Sequence, residues 1–303
     1  MRNAVCDNLV KLFRKKNFVF LSGDLGFMAL EKLRDSMGKY FINAGVAEQN
    51  MISVAAGLTK SGFLTWVYSI GPFCYARPFE QIRNDITNHG LPVKIIGNGG
   101  GYGYGSMGPT HHALEDYGVL LTLKNMEVYI PAFADDISSV IHKMALSPKS
   151  GYLRLGKCEK PKNIKLPPYA PWRRLVKGNG PILLVVGPIV GELLECLNRM
   201  ENMSRPELWV VSELPLESDS PPNRFVESLS RSKQLCVVEE HVAHGGIGHL
   251  IAHWAQNNGI ILEKFQHLCA NGYKSGYYGS QSFHRAECGI DVKNIFNTLG
   301  EME

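Results

Sequence analysis

A lone acid at the head of an apolar helical pattern is the first place to look for chemistry in this sequence. Glu48 lies within Asn43-Ala-Gly-Val-Ala-Glu-Gln-Asn-Met-Ile-Ser-Val-Ala-Ala-Gly57. Met51, Val54, Ala55 and Leu58 follow the i, i+3, i+4, i+7 spacing of one buried helix face. Glu48 precedes Met51 by three residues and Ala55 by seven, so it shares that face. A carboxylate there is costly unless partnered, and desolvation favours its protonated form. The helix N-terminus pulls the other way, toward the anion. Two readings stay open on spacing alone: a buried functional acid, or a first-turn cap pointing into water.

The second candidate is Gly97-Asn-Gly-Gly-Gly-Tyr-Gly-Tyr-Gly-Ser-Met-Gly-Pro-Thr-His111-His112. So many glycines give either positive-φ freedom or room for a ligand against the backbone. Gly103 to Gly108 formally matches G-x-G-x-x-G, but it runs into Pro-Thr-His and lacks the later acid of a dinucleotide site. No Gly-Lys-Ser/Thr follows, which excludes a P-loop. The glycines better suit a loop that lets His111 face a bound molecule. Adjacent His111 and His112 cannot face one ligand from a helix, which argues against a metal pair.

Further on, Leu235-Cys-Val-Val-Glu-Glu-His241-Val-Ala-His244-Gly-Gly-Ile-Gly-His249 reads as strand, glycine-rich turn and helix. Such a turn could present amides to an anion, or be plain architecture. His241, His244, His249 and His253 lack a cysteine or a well-spaced acidic third ligand, so no zinc site is expected.

The elements that must carry these residues alternate between short apolar runs and helical patterns, as in an α/β chain with mostly parallel strands. Strands are expected at 18–21, 63–68, 93–96 and 126–130, with helices at 48–60, around Phe79, Ile82 and Ile86, and at 135–146. Pro161, Pro167, Pro168 and Pro171, set among lysines, suggest an extended linker. A second α/β set follows, with strands at 182–186, 208–211 and 235–238 and helices at 191–200 and 247–257. The expected division is 1–160, a linker at 161–177, and 178–303, giving two doubly wound domains. At 303 residues, 45% hydrophobic and 20% charged, the composition is that of a globular protein rather than a disordered one. A net charge of +4 is too small to mark a nucleic-acid or anionic-membrane partner. Seven scattered cysteines without a C-x-x-C, an N-terminus without an apolar signal core and no long apolar run point to a reducing, cytoplasmic setting.

Together these segments resemble the C-terminal half of transketolases and related thiamine-diphosphate enzymes. Gly45-Val-Ala-Glu48-Gln-Asn-Met is similar to that family's cofactor-activating glutamate motif, and Arg77-Pro-Phe-Glu-Gln-Ile-Arg-Asn-Asp85 to the helix after it. Gly108-Pro-Thr-His111 with Glu115-Asp116 resembles the active-site histidine loop, and Val237-Val-Glu-Glu-His241 with Gly245-Gly-Ile-Gly248 the C-terminal domain. The resemblance implies a pyrimidine-binding domain followed by a C-terminal α/β domain. It implies that Glu48 hydrogen-bonds the aminopyrimidine, stabilising the tautomer that deprotonates the thiazolium. Phe73 would stack on the pyrimidine, or serve as a core aromatic. Asp24 and Leu25 would contact the cofactor, and His111 the substrate. The implied reaction cleaves a C–C bond beside a carbonyl and passes a two-carbon ketol or acyl unit to an aldehyde.

The family also holds Mg²⁺ through a Gly-Asp-Gly motif and a later Asn, and Ser22-Gly-Asp-Leu-Gly26 does not fit it. The resemblance therefore implies a partner subunit that carries the diphosphate and metal, in an α2β2 heterotetramer. Met107 stands where sugar-phosphate transketolases place an aspartate, Gly99 where a second substrate histidine is common, and Met28 where a phosphate-binding serine is common. Lys157 replaces an arginine, and Arg2 falls near another phosphate-binding arginine. These departures suggest a specialised substrate rather than the pentose-phosphate pair. The competing readings are an E1 β subunit of a 2-oxo-acid dehydrogenase and a non-catalytic regulatory half.

Overall fold

The computed structural model describes residues 1–302 apart from 159, 163, 201–204 and 219. Among the described residues, twelve strands form two sheets. In chain order they are β1 (Val19–Ser22), β2 (Phe41–Asn43), β3 (Thr65–Ile70), β4 (Lys94–Asn98), β5 (Met126–Tyr129), β6 (Ser150–Leu155), β7 (Trp172–Val176), β8 (Ile182–Val186), β9 (Glu207–Val211), β10 (Glu213–Leu214), β11 (Gln234–Val238) and β12 (Lys264–Leu268). The first sheet runs β10-β5-β6-β4-β3-β1-β2 and the second β12-β11-β8-β9-β7. Both are parallel except at one edge, where β10 pairs antiparallel with β5 and β7 with β9.

Parallel strands are covered on both faces, so their sequences are apolar throughout and alternate residues enter different cores. Leu21, Val67, Ile95 and Tyr152 pack on one face of the first sheet, with Met51, Ile52 and Ala55 of helix Glu48–Lys60. Phe20, Trp66, Ile96 and Leu153 face the other side, against helices Arg2–Phe13 and Ile137–Leu146. The buried face of helix Glu48–Lys60 is rotated from the expected one. Ile52 is buried, whereas Val54 is 40% exposed, because the helix lies on its 48, 51, 52, 55, 56 and 59 positions.

The span expected to be a linker departs from the simple reading. Its last five described residues before Lys177 form edge strand β7, in which Trp172, Arg173 and Val176 are buried. The prolines end before them, and antiparallel pairing with β9 absorbs the segment; positions 159 and 163 lie outside the described residues. The two halves are also interlocked. β10 follows the second sheet's β9 yet completes the first sheet, and Trp172, Trp209, Leu214 and Leu216 join the cluster that contains Val128 and Ile130. Among the described residues, no helix is long and apolar enough to cross a membrane.

One buried ion pair rivets this junction. Arg173 on β7 donates from Nη1 to Asp136 Oδ1 at 2.8 Å and from Nη2 to Oδ2 at 2.7 Å, with both side chains almost wholly buried. Asp136 Oδ2 also accepts the backbone N–H groups of Ala132 and Phe133. Removing the carboxylate would strand a buried guanidinium. Asp136→Ala is expected to cost about 3–5 kcal/mol, read as a lowered urea midpoint, and more than the loss of any exposed pair.

Candidate active site

The candidate residues converge at the carboxyl ends of the parallel strands, the edge at which open α/β sheets place their ligands. Glu48 starts the helix that follows β2, Phe73 lies in the short helix Gly71–Tyr75 that follows β3, and His111 lies on the glycine loop that follows β4. Glu48 is 1% exposed and does not turn out to solvent. Its Oε2 accepts Arg77 Nη1 at 2.6 Å and its Oε1 accepts Ser69 Oγ, near the end of β3, at 3.2 Å. Gly23, just past β1, packs close on the third side: a Cβ there would stand 3.2 Å from Oε1.

Arg77 ties the acid to the rest of the site. Its guanidinium lies 4.3 Å from the Phe73 ring centre, a cation–π distance. Phe73, only partly buried, meets the His111 ring edge-on at 5.3 Å, and His111 lies 5.7 Å from Tyr104. Thr110 Oγ1 bonds His111 Nδ1 at 2.9 Å, so Nε2 is the nitrogen His111 offers outward. Glu48, Arg77, Phe73, His111 and Tyr104 thus form one continuous wall.

Arg77 stood in the sequence only as the start of a family-like segment, without a role of its own, and Tyr104 was not singled out. The hint for Arg77 was the buried acid itself, which required a cation. The hint for Tyr104 was Gly99, whose φ of +78° and missing side chain let an edge of the tyrosine ring pack against it; a Cβ would stand 2.1 Å from Tyr104 Cε2. Asn98 Nδ2 donates to the Tyr104 hydroxyl at 2.8 Å, and burial raises the phenol above its ordinary range. The space that Gly99 leaves is therefore filled by the Tyr104 ring.

The other expected residues spread further. Asp24, at φ +57°, accepts Asn43 Nδ2 at 2.7 Å, and with Leu25 it lines a hollow of about 330 Å³ at the ends of β1 and β2. Met28 borders this region, 75% exposed beside the 84% exposed Phe27. Arg2 is exposed on the first helix, and its charge reaches Tyr68 and Tyr104. Met107 is 56% exposed on the His111 loop. Lys157 lines a separate cleft of about 540 Å³ between the halves, with Gly103, Pro188 and Arg285.

The histidines of the second half have structural partners. His241 accepts the Gly118 N–H through Nε2 at 3.1 Å and donates from Nδ1 to the Val242 carbonyl at 2.7 Å, stacked on Tyr117. The glycine-rich turn does bind an anion, but that anion is the chain's own Glu239. Its oxygens accept the Ile247 and Gly248 N–H groups at 2.9 Å, along with Tyr117 Oη and His267 Nε2. Burial opposes its ionisation, yet His267, His241 and the helix amides outweigh burial and hold the carboxyl below its usual range. Among the described residues, no group of three or more His, Cys, Asp or Glu side chains is disposed to hold a metal.

This fold and wall define a class. The family described as "Transketolase, pyrimidine binding domain" matches residues 1–161, and the chain belongs to it. It is similar over its length to one subunit of the apulose-4-phosphate transketolase of Phocaeicola vulgatus, 26% identical over 99% of this chain and 96% of that protein. It is 28% identical to "1-deoxy-D-xylulose-5-phosphate synthase" of Magnetococcus marinus, over 86% of this chain but 42% of that one. The solved structure "Split gene transketolase, inactive beta4 tetramer" shares the fold with a TM-score of 0.83, at 24% identity, covering 99% of this chain and 97% of its own.

Two outcomes are expected. Gly99→Ala forces the Tyr104 ring aside and strains a positive-φ position, lowering stability by about 1–3 kcal/mol in denaturant titrations. His112, beside His111, is 3% exposed, and burial lowers its pKa from 6.5 to about 4. Between those values the unfolded chain binds the extra proton. The stability this histidine contributes is thus complete above pH 6.5 and lost as pH falls toward 4. His112→Gln should flatten that part of the pH–stability curve.

Proposed function

We propose that this chain is the pyrimidine-binding and C-terminal subunit of a split, thiamine-diphosphate-dependent transketolase. It would catalyse two-carbon transfer only when joined to a second subunit that holds the diphosphate and Mg²⁺. The observation that carries this reading is the buried Glu48 carboxylate, joined through Arg77 to the partly buried Phe73 ring. A flat, nitrogen-bearing ring would suit these groups: Phe73 offers a stacking face and Glu48 an anionic acceptor on a rigid helix. The family match, and a relative of nearly equal length named as one subunit of a transketolase, support the same reading.

In this role Glu48 accepts a hydrogen bond from the ring at a carboxylate oxygen, in a site shielded from water. Arg77 compensates its charge and would share the carboxylate with the incoming ring. His111 Nε2 hydrogen-bonds a substrate oxygen, and Tyr104 closes the pocket where the Gly99 backbone would otherwise be bare. Bound thiamine diphosphate supplies the electron sink that makes cleavage beside a carbonyl possible. Asp24 and Leu25 would border the cofactor, while Arg2, Met28, Met107, Gly99 and Lys157 would shape the region that reads the substrate. A β-type subunit of a 2-oxo-acid dehydrogenase is not favoured by these relatives. The continuous wall around Glu48 speaks against a purely regulatory half. We further propose an α2β2 assembly in the cytoplasm, and a substrate other than the usual pentose phosphates, because Met107 cannot accept a hydrogen bond as a carboxylate would.

Calorimetry with thiamine diphosphate and Mg²⁺ tests the division of labour. Tight binding is expected for the mixture of this chain with a partner bearing Gly-Asp-Gly and a later Asn, and not for either alone. Glu48→Gln in the reconstituted pair should lower kcat about 10²–10⁴-fold. Full activity of that variant would refute the role of Glu48, and equal turnover of pentose phosphates would refute the specialised substrate.

A further inference from the structure

The loop that carries His111 is poorly equipped to hold itself. Gly105 and Gly108 have φ of +51° and +74°, and the turns within it close through Met107 N–H to Tyr104 O, Gly108 N–H to Gly105 O and His111 N–H to Gly108 O. What grips it comes from the other half of the chain, from the segment between β12 and helix Gln281–Cys288. Tyr278 lies against Gly108, where a Cβ would stand 3.3 Å from its ring. The Gly279 carbonyl lies against Gly105, where a Cβ would stand 3.1 Å away. Tyr273 and Tyr278 themselves meet edge-on at 5.4 Å.

The strongest grip is on His112. Its Nε2 lies 2.9 Å from the Gly105 carbonyl, which can only accept, so Nε2 carries the proton. Nδ1 is then an acceptor, and the Tyr273 hydroxyl donates to it at 2.7 Å, with the two rings stacked at 5.6 Å. Tyr102 and His284 close the cage edge-on at 5.2 and 5.1 Å. His112 is thus fixed in position and tautomer, while its neighbour His111 meets the Phe73 wall instead.

We propose that the Tyr273–Tyr278 loop of the second half is a positioning element for His111: Tyr273 grips His112 and Tyr278 backs Gly108, and together they set the direction in which His111 points. The catalytic consequence rests on the proposed role of His111, but the geometric statement does not. It gives the C-terminal half a task in the reaction although none of its described side chains joins the Glu48 wall.

The test uses the full chain labelled with ¹³C-histidine, with His111 and His112 assigned by substitution. Tyr273→Phe removes one hydroxyl. Its His111 ring signals should shift and broaden, and the His112 titration midpoint should rise by about one pH unit, because the neutral ring has lost its donor. The groups facing His112 in that titration are Tyr102, Tyr273, His284, His111 and the Glu240 charge. Val242→Ala, which trims packing in the same inter-half cluster but leaves the Tyr273 hydroxyl and Tyr278 in place, should leave His111 unmoved. If Tyr273→Phe does not fold, Tyr278→Ala, at a 52% exposed position, must displace the His111 signals instead. Unchanged His111 signals in the folded variant, or an equal change in Val242→Ala, overturn the proposal. In the assembled complex, Tyr273→Phe should lower kcat about tenfold with little change in the KM for a ketose-phosphate donor. The spectroscopic arm needs no cofactor, so it stands or fails apart from the thiamine-diphosphate reading.

Discussion

Glu48 is a carboxylate removed from water at the carboxyl edge of a parallel sheet, and the organisation of the site follows from compensating it. Desolvating an unpaired carboxylate is prohibitive, so an oppositely charged partner must reach it. Arg77 does so from the segment after β3, and the reach lays its guanidinium on Phe73. That ring in turn meets His111. With Arg77 41% exposed, solvent screens the pair, and its net contribution to stability is about 1 kcal/mol at most. Its importance is geometric. One ion pair brings residues from three successive loops to one wall.

A second set of buried charges holds the halves together, and each is matched locally. Asp136 and Arg173 join β7 to the first half with two parallel hydrogen bonds. Arg154 pairs with Asp116 at 2.9 Å and donates to the carbonyls of Ala113 and Glu240, one in each half. Glu239 caps helix Ile247–Asn257 while accepting from Tyr117 of the first half. Such pairs add little net stability over apolar packing, but a displaced partner is severely penalised, so they favour a single mutual orientation. A rigid junction is what a histidine loop needs when its own glycines leave it underdetermined.

Much of the fold was legible along the chain. Helices Glu48–Lys60 and Ile247–Asn257 and strand β8 lie where periodicity put them, because each is long or strongly apolar and carries its own signal. Strands β2, β6, β7, β10 and β12 were not legible. β10 has two residues and β2 three, too few for a pattern, and β7 holds two arginines that look solvent-exposed until Asp136 and Glu207 are seen beside them. Glu48 and His111 could be marked as candidates in the sequence, although spacing alone left Glu48 open as a first-turn cap until its burial was seen. Arg77 and Tyr104 were hidden, because a charged residue and a tyrosine in a loop are commonplace until a contact gives them a role.

The amino-acid order by itself determined the long or strongly apolar elements, that an acid heads an apolar helical stripe, and the motifs that mark the family. These are local properties, written within a few turns of chain. Only tertiary structure decided what compensates that carboxylate, that Tyr104 lies over Gly99, and that the glycine-rich turn of the second half serves Glu239. It also decided that His112 is gripped from 161 residues away. Those outcomes depend on which side chain reaches a buried polar group first, and distance along the chain carries no information about that.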